Sequence, residues 1–132
     1  MTFSVSWIAV IVSALLPFAL GMAWYGPLFG KAWRGEVGLS DERIKGANMP
    51  TIMGLSLVLN VVVAVIFGGL LGPAPSLGGA VRLALIVGVG FVATTFATTY
   101  LFSQKSMQLF VIDAGYNALR FLLIGLAFGL IP

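Results

Sequence analysis

An aspartate and an arginine lie inside the apolar stretch that ends this chain. Asp113 and Arg120 both fall within residues 107–131, a segment apolar enough to cross a bilayer. Inserting either residue at the centre of a membrane helix costs about 2.5 to 3.5 kcal/mol of free energy. A segment that keeps both is therefore expected either to pair the two charges or to need them for function. Residues seven apart share one helical face, and Tyr116 and Asn117 lie between the two charges on that face. The spacing predicts one polar stripe on an otherwise apolar helix.

Two chemistries are open for this stripe. Asp113 and Arg120 can form a buried ion pair, bridged by Tyr116 or Asn117, that fixes the register of the helices. Alternatively, the stripe lines a water-filled cavity in which Asp113 takes up a proton or cation and Arg120 holds an anionic group. The residues alone favour neither alternative.

Other polar residues are expected near this stripe. A rise of about 1.5 Å per residue places Asn60 and Asn117 at a similar depth, with Asp113 and the threonines of residues 94–99 shallower. We therefore expect side chains from different helices to converge on one binding site. The candidate binding residues are Asp113, Arg120, Asn117, Tyr116, Asn60, Thr95 and Thr98.

The composition indicates an integral membrane protein. Of the 132 residues, 60% are hydrophobic and 8% are charged, and the mean hydropathy is +1.10. An ordinary soluble domain has about a quarter charged residues. The length accommodates four spanning helices of about 20 residues and little else. We predict an all-α fold, a single bundle of four transmembrane helices over residues 1–132.

The expected spans follow the apolar runs. The first is predicted to be a retained helix rather than a cleaved signal, since no basic residue precedes it and its positive charges follow. Pro17 should kink this helix and free a backbone carbonyl. The spans are predicted at about residues 3–25, 50–71, 80–102 and 107–131.

Residues 26–49 form the one substantial polar loop. Phe29, Trp33 and Val37 recur at helical spacing, which predicts a short amphipathic helix in the membrane interface. Ser40 before two acidic residues reads as the N-cap of a second short helix, which Gly46 would end.

The lysines and arginines indicate an orientation. The loops 26–49 and 103–106 hold Lys31, Arg34, Arg43, Lys45 and Lys105, against Arg82 alone on the opposite side. The positive-inside rule then places both loops in the cytoplasm and both termini outside, in a multi-pass protein.

Small residues at helical spacing predict close contacts between helices. They occur as Gly68/Gly72, Ala80/Ala84/Gly88 and Gly125/Gly129. Because four helices enclose little on their own, we expect a homo-oligomer, most simply a symmetric dimer.

Several function classes are disfavoured. The chain has no cysteine and no histidine, which removes disulfides, thiolate chemistry and the commonest metal ligand. No nucleophile with a base and no phosphate-binding loop is present, so we expect neither an enzyme nor a metal or cofactor site. The basic residues are few, which argues against nucleic acid as a partner.

Three segments resemble a known family. Residues 24–33, 90–95 and 112–116 are similar to those of the domain of unknown function 1761 family, small integral membrane proteins of bacteria, and the similarity extends over nearly the whole chain. The resemblance implies a four-helix protein of the bacterial inner membrane and implies no activity. One difference is that the family often has a histidine after the tyrosine, where this chain has Asn117. The interfacial motif residues are Trp24, Tyr25, Gly26, Pro27, Phe29, Gly30, Lys31 and Trp33.

These observations support two hypotheses for function. The first is a small oligomeric transporter or channel-like protein whose polar intramembrane site binds a small molecule or ion. The alternative is a non-catalytic scaffold, or a subunit that binds lipid or protein through residues 29–33 and the glycine faces. Either protein has the lipid bilayer as its first partner.

Overall fold

The computed structural model describes residues 5–132, and these residues form helices and turns without a strand. Four helices are long and apolar enough to cross a membrane, which confirms the predicted all-α membrane fold. The predicted start of the first span at residue 3 lies outside the described residues. We call the four helices the first to fourth spans; they cover Trp7–Leu28, Met49–Leu71, Leu77–Phe102 and Met107–Leu130.

Two short helices fill the loop after the first span. They cover Gly30–Val37 and Asp41–Lys45, and we call the first of them the loop helix. The Ser40 hydroxyl caps the second by accepting a hydrogen bond from the Arg43 N–H at 3.2 Å, as the sequence predicts. Gly38 ends the loop helix with a φ of 74°, a left-handed conformation that favours glycine.

The fourth span packs between the first and the third spans, and the second span packs against the first. Glycine allows a close contact between the third and fourth spans, because a Cβ built on Gly125 would lie 2.8 Å from the Ala80 carbonyl oxygen and from the Ala84 Cβ. The small residues of the third and fourth spans therefore meet within one chain, so this face is not free for a second copy. A Cβ built on Gly72, by contrast, would meet nothing within 4 Å, and this residue ends the second span with a φ of 78°.

The two halves of the bundle differ in the polarity of the side chains that they bury. The half near the chain termini, which we call the terminal half, is filled by apolar side chains from all four spans, among them Ala9, Phe67, Ala84 and Phe128. The Phe67 and Phe128 rings lie 6.0 Å apart. The other half, which we call the loop half, encloses the polar residues of the fourth span. Only the terminal half is packed as an apolar core.

The first span contains two irregularities. Pro17 is buried, and neighbouring spans donate to carbonyls beside it: Asn60 Nδ2 to Ala14 at 3.2 Å, and the Tyr116 hydroxyl to Pro17 at 2.9 Å. The missing Pro17 N–H frees the carbonyl of Ser13, four residues earlier, so these two donors bond carbonyls close to the freed one and tie the irregular part of the first span to the second and fourth spans. Further along, residues 24–28 form a π-helical turn that carries the span beyond its expected end.

The close approach at Gly125 generates a prediction for stability. Gly125→Ala should lower the free energy of unfolding by about 1 to 3 kcal/mol, because the added methyl meets backbone of the third span. The change is measured by unfolding the protein in a mild detergent with increasing amounts of a denaturing detergent, while circular dichroism monitors the loss of helix. The control is Gly54→Ala, whose added Cβ meets nothing within 4 Å and should be neutral or stabilising. Equal stability of the two variants would contradict the packing.

Candidate functional site

Asp113 is buried among hydroxyl donors from two other spans. Its side chain is 7% exposed. One carboxylate oxygen accepts a hydrogen bond from the Tyr25 hydroxyl at 2.6 Å, and the other accepts one from the Tyr100 hydroxyl. Two such donors replace part of the hydration that a carboxylate loses in a membrane. We call these three residues the aspartate cluster, and it joins the first, third and fourth spans.

The π-helical turn positions Tyr25. Beside it, Trp24 Nε1 donates to the Ile112 carbonyl at 2.9 Å, and the Tyr25 ring packs edge-on against Tyr116 at 5.3 Å. A Cβ on Gly115 would lie 3.3 Å from the Trp24 ring. The segments 24–33 and 112–116, which carry the family resemblance, are thus the two sides of one contact.

The loop helix packs onto this contact. A Cβ on Gly30 would lie 2.4 Å from the Tyr25 carbonyl oxygen, so only glycine allows the loop helix to start there. Trp33 packs edge-on against the Tyr25 ring at 5.2 Å. The Ser106 hydroxyl donates to the Glu36 carboxylate at 2.6 Å, which joins the loop helix to the start of the fourth span. This helix therefore supports the aspartate cluster as well as having the predicted amphipathic pattern.

Arg120 is held by asparagines. Its NH2 group donates to Asn60 Oδ1 at 2.8 Å and its NH1 group lies 3.5 Å from Asn117 Oδ1. Its Nε is buried and has no hydrogen-bond partner among the described residues. The guanidinium carbon lies 5.5 Å from the centre of the Phe121 ring, within cation–π range. We call Arg120, Asn60 and Asn117 the arginine cluster.

The ion pair considered between Asp113 and Arg120 is not formed. Within residues 5–132 the one ion pair joins Arg34 to Asp41, at 3.8 Å on the exposed loop. Asn117 separates the two membrane charges, since its Nδ2 donates to the Asp113 backbone carbonyl at 2.9 Å while its Oδ1 faces Arg120. Tyr116, the other expected bridge, donates to Pro17 instead. The two charged residues are seven positions apart, which is about 10 Å along the helix. Because tyrosine hydroxyls already bind the carboxylate, the arginine side chain is not drawn across this distance.

The structure does not bring Thr95 and Thr98 to either cluster. Both are exposed, and their hydroxyls donate to carbonyls of their own helix, Thr95 to Phe91 at 2.6 Å and Thr98 to Thr94 at 3.1 Å. The third span turns its small residues toward the fourth span, which leaves the threonines on the opposite side. Back-bonding to the helix then satisfies their hydroxyls without a partner.

A groove of about 540 Å³ lies between the first, second and fourth spans. Asn60, Tyr116 and Arg120 line it, whereas Asp113 does not. Neither the apolar walls of this groove nor Tyr100 beside Asp113 is among the site residues predicted from the sequence. Helical spacing from Asn60 along the second span is a signal that identifies one wall. The missed wall residues include Phe18, Met22, Ile52, Met53, Ser56 and Leu59.

Comparison with protein families gives one match. A family model described as "Protein of unknown function (DUF1761)" matches residues 8–129, which agrees with the resemblance seen in the sequence. No curated protein and no solved structure matches the chain. The match brings no activity with it, so the chemistry of the groove and the clusters is the basis for inferring function.

The contact at Gly30 can be tested by substitution. Gly30→Ala should lower the free energy of unfolding by about 1 to 3 kcal/mol, because the added methyl must push the loop helix away from Tyr25. Gly35→Ala lies in the same helix, where an added Cβ meets nothing within 4 Å, and serves as the control. Thermal unfolding in detergent measures both variants. Loss of stability in Gly35→Ala alone would show that the loop helix does not dock here.

The aspartate cluster predicts a specific energetic coupling. A double-mutant cycle of Tyr25→Phe and Asp113→Asn should give a coupling of about 1 kcal/mol, because the amide oxygen still accepts the hydrogen bond but lacks the charge that strengthens it. The matched control cycle pairs Asp113→Asn with Ser56→Ala, since the Ser56 hydroxyl donates to its own helix at Ile52. That control should show no coupling. Equal coupling in both cycles would exclude a direct bond between Tyr25 and Asp113.

Proposed function

We propose that this chain, which belongs to the DUF1761 family of proteins of unknown function, is a small membrane transporter with its substrate site in the groove. The observation that carries the proposal is Arg120, a cation that lines the groove and has no carboxylate partner among residues 5–132. An ionisable residue kept in a membrane without a counter-ion marks a pathway or a ligand site. Its charge is available to a substrate.

The two halves of the bundle favour a carrier over a channel. The groove lies in the loop half, and beyond Arg120 the apolar residues of the terminal half close the bundle. A channel needs a continuous polar path, whereas a carrier exposes its site to one side at a time and holds it near the middle of the membrane. One open half and one closed half are what a carrier has in either of its end states.

Ser13 supports a second state of this carrier. Its hydroxyl is fully buried and has no hydrogen-bond partner among the described residues, which costs about 1 to 3 kcal/mol. It lies next to Ala14, whose carbonyl accepts a hydrogen bond from Asn60 of the arginine cluster. A polar residue at this place gains a partner when the terminal half opens and water reaches the arginine cluster from that side.

One observation favours the alternative, a membrane subunit that binds lipid or protein without transporting it. The groove walls include side chains that are largely exposed on the surface of the bundle, such as Met22 at 57% and Leu59 at 61%. The groove therefore opens sideways, at the surface of the bundle. A molecule from the bilayer can bind there without crossing the membrane.

Single cysteines can separate these two functions, because the chain contains none. Ser56→Cys in the groove and Ser13→Cys in the closed half are placed in proteoliposomes and treated from one side with a membrane-impermeant maleimide. A transporter predicts that Ser56→Cys reacts from the side of the loops and Ser13→Cys from the side of the termini. Gln104→Cys, in the exposed turn before the fourth span, reports which side carries the loops.

A static groove gives a different result. If Ser13→Cys stays unreactive from both sides while Ser56→Cys reacts, the bundle does not open toward its termini, and the binding subunit is preferred. Reaction of both cysteines from the same side would indicate a continuous channel and would contradict the carrier.

A further inference from the structure

We propose that the ligand of the groove is an anionic amphiphile, a molecule with one negatively charged headgroup and a hydrocarbon tail, that enters sideways from the bilayer. This inference rests on the proposed function because it uses the same groove, and it names the class of molecule that binds there. The headgroup binds Arg120 and the tail lies along the apolar walls.

The sign of the headgroup follows from Arg120. Its Nε is buried without a partner, and its terminal nitrogens contact the neutral side-chain oxygens of Asn60 and Asn117. Asp113 does not line the groove, and both of its oxygens are occupied by tyrosine hydroxyls. A planar guanidinium with free donors fits a carboxylate or phosphate in bidentate geometry. The remaining N–H groups of the two terminal nitrogens and the missing counter-ion therefore select an anion.

The number of charges follows from the rest of the lining. Among the described residues that form the groove, Arg120 is the one that carries a charge, and the remaining polar groups are hydroxyls and the Asn60 amide. A headgroup with a single negative charge is neutralised there. A headgroup with several charges would leave some of them without a partner in the bilayer, at a high energetic cost.

The tail follows from the walls and from the mouth of the groove. Phe18, Met53 and Leu59 line it with apolar side chains, and Ile52 is 47% exposed at the surface that faces lipid. A small inorganic anion would leave these walls without contact, whereas a hydrocarbon chain covers them. The sideways opening lets the tail remain in the bilayer while the headgroup moves toward Arg120.

The depth of Arg120 places the headgroup away from the membrane surface. Arg120 lies about 20 Å from the loop end of the fourth span at Met107 and about 15 Å from its other end at Leu130. The hydrocarbon core of a bilayer is about 30 Å thick, so the bound headgroup is near its middle. A headgroup held at this depth is partway across the membrane, which is the position that a carrier of amphiphiles must provide.

Equilibrium binding tests the ligand class without requiring transport. The full chain in nanodiscs of zwitterionic phosphatidylcholine is titrated, at alkaline pH, with radiolabelled oleate. Oleyl alcohol supplies the same tail without the charge, and inorganic phosphate supplies an anion without a tail. The proposal predicts that oleate binds about tenfold or more tightly than oleyl alcohol and that phosphate does not displace it. Equal affinities for oleate and oleyl alcohol, or displacement by phosphate, would overturn it.

Variants locate the binding groups. Arg120→Gln should weaken oleate binding by about tenfold or more. The control is Arg82→Gln, which lies near the terminal end of the third span and outside the groove, and it should not change the affinity. Unchanged affinity in a folded Arg120→Gln variant would overturn the proposal. If that variant does not fold, Ser56→Trp, which fills the groove and keeps Arg120, decides the location. Loss of binding in Ser56→Trp supports the groove, and unchanged binding contradicts it.

Two further comparisons are needed. The first distinguishes a bilayer lipid from a single-chain amphiphile, and the second distinguishes failure of the proposed ligand class from failure of the proposed transport. Competition by phosphatidylglycerol added to the nanodiscs identifies a bilayer lipid as the occupant, and oleate binding that is unaffected by this lipid identifies a single-chain amphiphile. Oleate binding together with an unreactive Ser13→Cys supports the ligand class and contradicts transport. A reactive Ser13→Cys without oleate binding contradicts the ligand class alone.

Discussion

The interior of a bilayer holds no water to solvate a charge. The structure therefore depends on the hydrogen bonds that the chain's own residues donate to the Asp113 carboxylate. Tyrosine hydroxyls of the first and third spans reach its carboxylate, so one buried charge holds three of the four spans together in the loop half. This arrangement also decides the role of Arg120. Because tyrosine hydroxyls bind the aspartate, the arginine that lines the groove has neutral asparagines as its partners and no counter-ion.

The features that the bilayer itself imposes could be predicted from the sequence. A span needs about 20 apolar residues, so composition and length define the four helices. The helix cap at Ser40 and the close packing at Gly125 follow from local chemistry and from the size of one residue. The convergence of Asn60 on the polar stripe follows in part from depth, because the helical rise places Asn60 at the depth of Asn117, one turn from Arg120.

The rotation of each helix about its axis could not be predicted in the same way. Depth places the threonines of the third span close to the polar stripe, yet packing of its small residues against the fourth span turns Thr95 and Thr98 outward. The π-helical turn before Leu28 adds a residue to one turn and changes the direction of Tyr25. Tyr25, which the sequence places among the interfacial aromatic residues, therefore donates a hydrogen bond to Asp113. No periodic pattern in the sequence specifies such a turn.

Asp113 and Arg120 do not pair, which leaves the arginine for a ligand. Solid-state nuclear magnetic resonance of the chain in lipid bilayers can measure the distance between a ¹³C-labelled Asp113 carboxyl carbon and the ¹⁵N-labelled Arg120 guanidinium. We expect a separation beyond the roughly 4 Å that defines an ion pair, because Asn117 lies between the two groups. A distance within ion-pair range would contradict it, and Arg120 would then be a structural partner of the aspartate.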